Sequence, residues 1–467
     1  MDLRGTFRGA VLILALSLAG CGGDADPTAW TIDSDEDWHT ATAEATGVQV
    51  RDGQVAPLDG TGTLRSIVRR FPTKRTLHSV VFETSPAWDN WDPVANVGPA
   101  ELQDAPVLLC LGPQDYWLLG RRAGDGPGPD AGGYHAWRSR DMETWEHRGP
   151  VTKRFSRWVT TAEAVNGKAY IYYDYPNDQD PHVYVDDDLG DGVPGEDRGL
   201  AFADPTHGSD CAVIRDERGR FHVIYEDWTP INARQHSWDS PLAGHAISED
   251  GLGDFRIVAP VVDHRTRPTG EKGTYRHPHW ASHPDWDSNV AEYDIHEPEQ
   301  PAYGDWAAIR VGTRYWLFCD VDPVDGGPMS VGRFTAEDLD GPFRWCGDVG
   351  EGHPDPDVGF AEGRFWLITQ QKTDWVSPGP WVERVEAQAG VDTDGDGTID
   401  RWTGWREVKE TYAHTPAFAK HVAKTPAALD PVDLPAGFGF AFEVRMTDTT
   451  ANASRPSLDR VTLHLGR

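Results

Sequence analysis

A pattern that recurs five times constrains the fold of this 467-residue chain more than any other feature. Each copy holds a short apolar strand, a turn that usually contains Gly or Asp, and a second strand rich in aromatic residues. The second strands begin at residues 116, 169, 221, 315 and 365, so successive copies lie 53, 52, 94 and 50 residues apart. Radial packing of such units leaves few exposed sheet edges, which is typical of β-propellers. The sequence therefore predicts an all-β, five-bladed propeller whose fourth blade carries a long insertion.

The regions outside the repeats predict further segments. The apolar run of residues 10–19 is too short to span a bilayer but suits the core of a signal peptide. A small, polar and acidic stretch follows, as expected of a tether. We expect a signal peptide over 1–20, an acidic linker over 21–47, an N-terminal arm over 48–100, and the propeller with its closing strands over 101–467.

The end of the apolar run, Leu18-Ala19-Gly20-Cys21, resembles a bacterial lipobox. Cleavage before Cys21 would leave its thiol to be lipidated, so we expect a lipoprotein held at the periplasmic or extracellular face of the cell envelope. The alternative is an apolar start followed by an ordinary cysteine. The other four cysteines are scattered, and either Cys319 pairs with Cys346 or all four are buried free thiols.

The formal net charge of −32 argues against a nucleic-acid partner, whose phosphates require a basic surface. In a propeller, residues just ahead of each innermost strand converge on one pocket. Loops between second and third strands open on the same face and add Asp180, His182, Trp238 and Asp239. Like charges crowded together cost stability and indicate a functional site, although a single Asp before a strand often caps a turn. The converging positions are Asp104, Thr161, Asp210, Asp305, Asp355 and Asp357, with His296 and Glu297 ahead of the fourth blade.

Several motifs resemble glycoside hydrolase family 117, the α-1,3-(3,6-anhydro-L-galactosidases), and more distantly the propellers of family 43. They are DAPVLLCLG from Asp104, PNDQDPHVY from Pro176, HSWDSPLAGHA from His236, HEPEQ from His296 and GHPDPDVGFAEG from Gly352. The resemblance implies an inverting reaction on a five-bladed propeller. Family 117 proteins exchange a helical N-terminal arm between subunits, but residues 48–92 do not read as such an arm, so a homodimer is left open.

The resemblance also implies a role for each of four residues. Asp104 matches the general base, and Asp239 matches the carboxylate that orients the site, with Asp210 as the competing candidate. Glu297 matches the acid of the wider propeller group, whereas family 117 gives proton donation to the neighbouring His296. Inversion requires an acid and a base roughly 6.5 to 9.5 Å apart, and a histidine with a pKa of about 6.5 can donate near neutral pH.

Other residues have two interpretations each. Trp158 and Trp238 either stack on a sugar face or belong to the core. Asp180 and His182 bind substrate hydroxyls or a divalent cation. Thr161, Asp210 and Asp305 are expected to line the substrate pocket. The segment DTDGDGTID presents oxygens at the alternate spacing that wraps calcium, or else is a solvated acidic turn; its candidate ligands are Asp392, Asp394, Asp396 and Asp400.

Together these features predict an inverting exo-glycosidase. Its substrate would be a red-algal oligosaccharide derived from agar, from whose non-reducing end it releases 3,6-anhydro-L-galactose. A different terminal sugar, such as another anhydrogalactose or an arabinose-type residue, is the alternative within enzymes. A lectin-like propeller that binds oligosaccharides without turnover is the alternative outside them.

Overall fold

The computed structural model describes most of the chain. The described residues are 28–51, 53–58, 60–85, 92–95, 98–124, 133–153, 158–174, 180–203, 210–226, 243–262, 274–275, 293–294, 302–322, 330–349, 355–369, 373–376, 385–447 and 457–466. Within these ranges the structure is almost entirely β and forms two bodies, a sandwich and a propeller. The described helix, of seven residues, is too short to cross a membrane.

The N-terminal segment supplies strands to both layers of the sandwich. The side chain of Ser34 accepts a hydrogen bond from the Asp37 N–H and so caps the helix, whose first turn is acidic as the helix dipole favours. The elements are β1 (Ala29–Ile32), α1 (Asp35–Ala41), β2 (Thr42–Thr46), β3 (Val48–Arg51), β4 (Gln54–Pro57), β5 (Thr61–Ser66) and β6 (Arg69–Ser85).

This arrangement differs from the acidic linker expected over residues 21–47. Residues 29–46 form β1, α1 and β2, and the side chains of Ile32 and Trp38 are fully buried in the sandwich core. A polar, acidic composition predicted a tether, but two well-placed apolar side chains are enough to dock a short segment. Residues 1–27, with the predicted signal peptide and Cys21, lie outside the described residues.

The propeller consists of five blades of four strands each, and the fourth blade is extended to a six-stranded sheet by a hairpin from the C-terminal segment. The fifth blade takes its outer strand, β7 (Asp92–Ala95), from ahead of the first blade, so sequence-distant strands close the ring. The first three blades are β8 (Leu102–Gly112), β9 (Asp115–Arg122), β10 (Tyr134–Ser139), β11 (Trp145–Pro150); β12 (Val159–Val165), β13 (Lys168–Asp174), β14 (Pro181–Asp186), β15 (Glu196–Leu200); and β16 (Ala212–Arg215), β17 (Phe221–Glu226), β18 (Ala243–Ser248), β19 (Arg256–Val262).

The remaining blades follow the predicted insertion. The insertion contains β20 (Thr274–Tyr275) and β21 (Tyr293–Asp294). The strands of the fourth and fifth blades are β22 (Ala302–Val311), β23 (Arg314–Asp322), β24 (Ser330–Ala336), β25 (Arg344–Val349), β26 (Asp357–Ala361), β27 (Arg364–Ile368) and β28 (Thr373–Val376).

Five apolar clusters fill the five spaces between adjacent blades. One example packs Leu109 and Tyr134 of the first blade against Ile171 of the second. Another packs Leu108 of the first blade against Trp366 of the fifth, across the closure of the ring. Each innermost strand contacts the next around the full circle, from β8 through β12, β16, β22 and β26 back to β8. The predicted five-bladed propeller is confirmed.

The C-terminal segment completes the sandwich, where the sequence predicted strands that close the propeller. β6 pairs with β35 through its first part and with β36 through its second, so it joins both layers. Ring closure is instead the work of β7. The strands are β29 (Val385–Asp392), β30 (Arg401–Trp402), β31 (Arg406–Glu407), β32 (Thr411–His414), β33 (His421–Thr425), β34 (Ala427–Leu429), β35 (Gly437–Thr447) and β36 (Ser457–Gly466).

The hairpin of β32 and β33, residues 411–425, leaves the sandwich and enters the propeller. β33 pairs in parallel with the last residues of β22, through Arg310 and Val311. We call residues 411–425 the axial hairpin. The four described cysteines are thiols, so Cys319 and Cys346 are not paired. Cys110, Cys211 and Cys319 are buried, as the interpretation as thiols expected, whereas Cys346 is half-buried.

Candidate functional site

The innermost strands of three blades are irregular where they begin. The pairing of β8 with β9 shifts between Gln103 and Val107, and that of β22 with β23 shifts between Gly304 and Ala307. The pairing of β12 with β13 shifts across residue 160. Such bulges redirect side chains and often lie beside active sites. The backbone of Asp104 lies in the first bulge and that of Asp305 in the second, so both predicted positions lie where an innermost strand departs from regular pairing.

Three aspartates at the starts of the third, fourth and fifth innermost strands share a left-handed backbone. Their φ angles are 44° at Asp210, 48° at Asp305 and 59° at Asp355. Residues other than glycine seldom adopt this backbone conformation, although Asp tolerates it better than most. A carboxylate of the preceding blade holds two of these turns: the N–H of Asp210 donates to Asp174 Oδ2 at 3.3 Å, and that of Asp355 donates to Asp320 Oδ1 at 2.9 Å.

Carboxyl groups of the fourth and fifth blades meet at this face. Asp305, Asp320 and Asp355 each place a carboxyl oxygen within 4.8 Å of the others. Burial, followed by the charges of Asp355, Asp210 and Asp320, raises the pKa of Asp305 well above its ordinary value. We call these four aspartates the acidic cluster. A carboxyl group whose pKa is raised by neighbouring carboxyl groups is a feature that acid–base chemistry uses.

Two further predicted positions lie deeper in the ring and join its strands. Thr161 is 1% exposed, and its hydroxyl accepts hydrogen bonds from the Val213 N–H at 3.2 Å and from Lys420 Nζ at 3.1 Å. Asp357 Oδ2 accepts from the Leu108 N–H at 2.6 Å and its Oδ1 lies 3.7 Å from Lys420 Nζ. Thr161, expected to line the substrate pocket, is buried and accepts both of these hydrogen bonds; its role toward substrate stays a prediction. Lys420 was missed because it belongs to the axial hairpin.

Trp158 lies half-buried at the start of β12, with a cation on one ring face. The guanidinium carbon of Arg121 is 3.8 Å from the Trp158 ring centroid and 5.9 Å from that of Tyr134. This geometry supports a cation–π contact and occupies one face of the indole. Sequence reasoning missed Arg121, although it follows directly on the aromatic-rich strand of the first repeat and pairs with Gln103, beside Asp104.

Asp180 and His182 are also half-buried and lie where β14, the third strand of the second blade, begins. His182 Nδ1 lies 3.1 Å from the Asp180 carbonyl oxygen, and the His182 ring packs on Tyr173. Burial lowers the pKa of His182, which keeps the imidazole neutral. Their expected roles toward hydroxyls or a cation stay predictions.

Several predicted residues lie outside the described residues. These include both members of the His296 and Glu297 pair, together with Trp238 and Asp239; for Asp104 the structure describes the backbone alone. The catalytic assignments that follow from the family resemblance therefore stay predictions.

The DTDGDGTID segment wraps into a compact loop at the end of β29. Asp392, Asp394 and Asp400 each bring one carboxylate oxygen within 4.8 Å of the others, a spacing that fits a hard cation. The carboxylate of Asp396 accepts from the Thr398 N–H at 2.7 Å. Arg70 of β6 donates to the Gly395 carbonyl oxygen at 2.6 Å, so the loop is tied to the sandwich rather than to the acidic cluster.

Comparison with solved structures finds similar chains at low identity. The endo-arabinase from Bacteroides thetaiotaomicron VPI-5482 is 11% identical, with 61% of this chain and 96% of that chain covered and a TM-score of 0.40. A putative exo-beta-1,3-galactanase from Bifidobacterium bifidum s17 is 13% identical, with 72% and 96% covered and a TM-score of 0.38. A thermostable family-43 glycoside hydrolase is 13% identical, with 65% and 93% covered and a TM-score of 0.38.

No family model and no curated protein matches the chain. None of the three structures is named as a family 117 enzyme, so that finer assignment stays a prediction. Because the likeness is this distant, the function has to be argued from the residues of the chain itself.

Proposed function

We propose that this protein is a glycoside hydrolase that acts with inversion and releases 3,6-anhydro-L-galactose from the non-reducing end of agar-derived oligosaccharides. The acidic cluster is the observation that carries the proposal. Three of its members, Asp210, Asp305 and Asp355, hold unfavourable backbone conformations at the starts of adjacent innermost strands. A fold retains such strain and charge repulsion where the site needs them.

Inverting hydrolysis requires one protonated group and one ionised carboxylate on opposite sides of the scissile bond. In our proposal Asp104 activates water, and Glu297 or His296 protonates the leaving oxygen. Asp239 or Asp210 orients the site, while Asp305 lies beside it as a protonated hydrogen-bond donor toward sugar oxygens. The half-buried indole of Trp158 keeps one ring face away from Arg121, and that face is suited to an apolar sugar face.

The test is incubation of the full chain with neoagarobiose-type, carrageenan-derived, arabino- and xylo-oligosaccharides. We expect release of 3,6-anhydro-L-galactose from the agar series, with ¹H NMR of the earliest product showing inverted configuration. Asp104→Asn should abolish turnover and leave binding by calorimetry largely intact. Turnover of another series alone would change the proposed sugar, and binding with no turnover on any series would identify an oligosaccharide-binding propeller.

The matched control is Asp254→Asn. Asp254 also has a positive φ, of 51°, but it lies in an exposed turn of the third blade outside the acidic cluster. Its substitution should leave turnover unchanged. Equal losses in Asp104→Asn and Asp254→Asn would show that the first variant acts through folding rather than through chemistry.

Two accessory features belong to the same proposal. Lipidation of Cys21 would hold the enzyme at the cell envelope, and calcium in the Asp392 loop would stabilise the sandwich. The loop lies away from the acidic cluster, so calcium is assigned no part in the chemistry.

A further inference from the structure

The axial hairpin contacts every blade of the propeller. It pairs with β22 of the fourth blade, where the Arg310 N–H donates to the Lys420 carbonyl oxygen at 2.8 Å. A segment of the sandwich chain therefore fills the axis on the side opposite the acidic cluster. Its contacts with the other four blades are His414 with the Cys110 carbonyl oxygen, the Ala419 N–H with Glu163 Oε1 at 3.1 Å, Arg215 with the Ala417 carbonyl oxygen at 3.0 Å, and the ring of Tyr412 with that of Phe365 at 5.8 Å.

Lys420 extends from the tip of this hairpin along the axis. The N–H of the preceding residue, Ala419, donates to Glu163, whereas the ammonium group of Lys420 reaches Thr161, two residues nearer the start of the same strand. On the other side the ammonium group lies 3.7 Å from Asp357 Oδ1, and the side chains of both residues are nearly inaccessible, 1% and 7% exposed. A buried lysine and a buried carboxylate are each costly alone, so each needs the other.

The two partners of Lys420 each hold a neighbouring innermost strand. Asp357 accepts the Leu108 N–H of β8 at 2.6 Å, and Thr161 accepts the Val213 N–H of β16 at 3.2 Å. Leu108 is the residue after Val107, where regular pairing of β8 resumes beyond the bulge that carries Asp104. One ammonium group thus connects the C-terminal segment to the strand that carries the candidate base.

Lys420 carries a positive charge that acts on two buried acids of the axis. Burial raises the pKa of Asp357 and of Glu163, and the charge of Lys420 opposes both increases. Removal of this cation should therefore favour protonation of carboxylates along the axis. The titratable and charged groups on the surrounding elements are Asp357 of β26, Glu163 of β12, Cys110 of β8, Arg215 of β16, Arg310 of β22 and His421 of the hairpin.

We propose that Lys420 is a positioning residue for the glycosidase site: through Asp357 it fixes β8 at Leu108, four residues beyond Asp104, and its positive charge acts on the carboxylates that border the axis. The catalytic part of this proposal rests on the proposed function. The positioning of β8 does not, and it has a test of its own.

The first experiment measures amide hydrogen exchange in the full chain and in Lys420→Met. We expect the peptide that spans β8 to exchange about tenfold faster in the variant, the equivalent of one weakened hydrogen bond to a charged group. Lys424→Met is the matched control, because Lys424 lies on the same hairpin and pairs at 3.2 Å with the buried Glu410, outside the axis. This control should lose comparable stability without faster exchange in β8.

The second experiment compares the pH dependence of kcat/KM. Lys420→Met should lower kcat more than it changes KM and should move the acid limb, which reports the candidate base, to higher pH by roughly one unit. If Lys420→Met does not fold, the double variant Lys420→Met/Asp357→Asn replaces it in the test. The double variant removes both buried charges and retains an oxygen acceptor for the Leu108 N–H. It should melt at a higher temperature than Lys420→Met and still exchange faster in β8 than the unmodified protein, because the acceptor left for the Leu108 N–H is uncharged.

Unchanged exchange in β8 would overturn the proposal, as would an unmoved acid limb in folded Lys420→Met. Faster exchange in both lysine variants alike would also overturn it, because the effect would then be general destabilisation. If the unmodified protein turns over no sugar while Lys420→Met alone loosens β8, the proposed function fails and the positioning of β8 is supported.

Discussion

Replacement of Asp305 by Asn should stabilise the protein at neutral and alkaline pH. Asp305 lies in the acidic cluster, with carboxyl oxygens of Asp320 and Asp355 within 4.8 Å. Two like charges at that separation repel by about 3 kcal/mol at an effective dielectric constant of about 20. Because Asp305 is half-buried, solvent screens part of this repulsion. We therefore expect a gain of roughly 1 to 3 kcal/mol in the free energy of unfolding.

The sign of the pH dependence follows from the raised pKa of Asp305. The folded state keeps the proton over a pH range in which the unfolded chain has lost it. The contribution of Asp305 to stability is therefore fully present below the ordinary carboxyl pKa of about 4 and is lost as pH rises through the raised value. Asp305→Asn removes this loss, so its advantage should grow with pH by at most about 1.4 kcal/mol per unit and should vanish near pH 4.

The assay is urea unfolding followed by tryptophan fluorescence at about pH 5 and about pH 8. Asp254→Asn is the control, since it makes the same chemical change at a positive φ, in an exposed turn outside the acidic cluster. That control isolates any gain that arises because Asn suits the left-handed backbone. The reasoning is refuted if Asp305→Asn gains no more than the control at pH 8, or if its gain is the same at both pH values.

Three further predictions concern other parts of the chain. Calcium should raise the unfolding temperature, with up to about 2.7 kcal/mol gained at a hundredfold excess over Kd, and Asp392→Ala should remove this response; an equal response in the variant would exclude the loop. Burial, followed by the charge of Asp357, raises the pKa of the Cys110 thiol to about 12. In the folded protein Cys110 should therefore react with Ellman's reagent far more slowly than the half-exposed Cys346. Rapid labelling of both cysteines would contradict the buried environment of Cys110. Expression in a bacterium fed labelled palmitate should label the protein through Cys21 and leave Cys21→Ala unlabelled, whereas label in both would remove Cys21 from that role.

The propeller could be predicted from sequence because each blade is a local unit. The repeat of strand, turn and aromatic strand falls within a short window, and its spacing of 50 to 53 residues outside the insertion identifies radial repetition. The sandwich could not be predicted in this way. Its core joins residues of the two ends of the chain, such as Val80 and Leu463, which are paired across β6 and β36. No local pattern reports which distant strand will pair with another.

Sequence analysis identified three of the four aspartates of the acidic cluster. Asp210, Asp305 and Asp355 were expected at the starts of innermost strands because each precedes an apolar run. Asp174 and Asp320, which hold two of these turns, were not selected, yet each follows an aromatic run, in IYYD and in WLFCD. The recurrence of Asp after the second strand was the available signal. It indicates that the carboxylate of one blade orients the first residue of the next.

Lys420 marks the limit of local inference. Its hydrogen-bond partner Thr161 lies 259 positions away in the chain, far beyond any window in which periodicity operates. From sequence alone, the side chain of Lys420 is expected to be solvated, since lysine is seldom buried. It becomes interpretable once the sandwich delivers the axial hairpin into the ring, because a buried ammonium group then requires acids around it. The sandwich and the propeller are therefore coupled, because the hairpin places the positive charge of Lys420 beside buried Asp357 at the propeller axis. Variants that loosen the hairpin should therefore disturb the acidic cluster, although they change none of its residues.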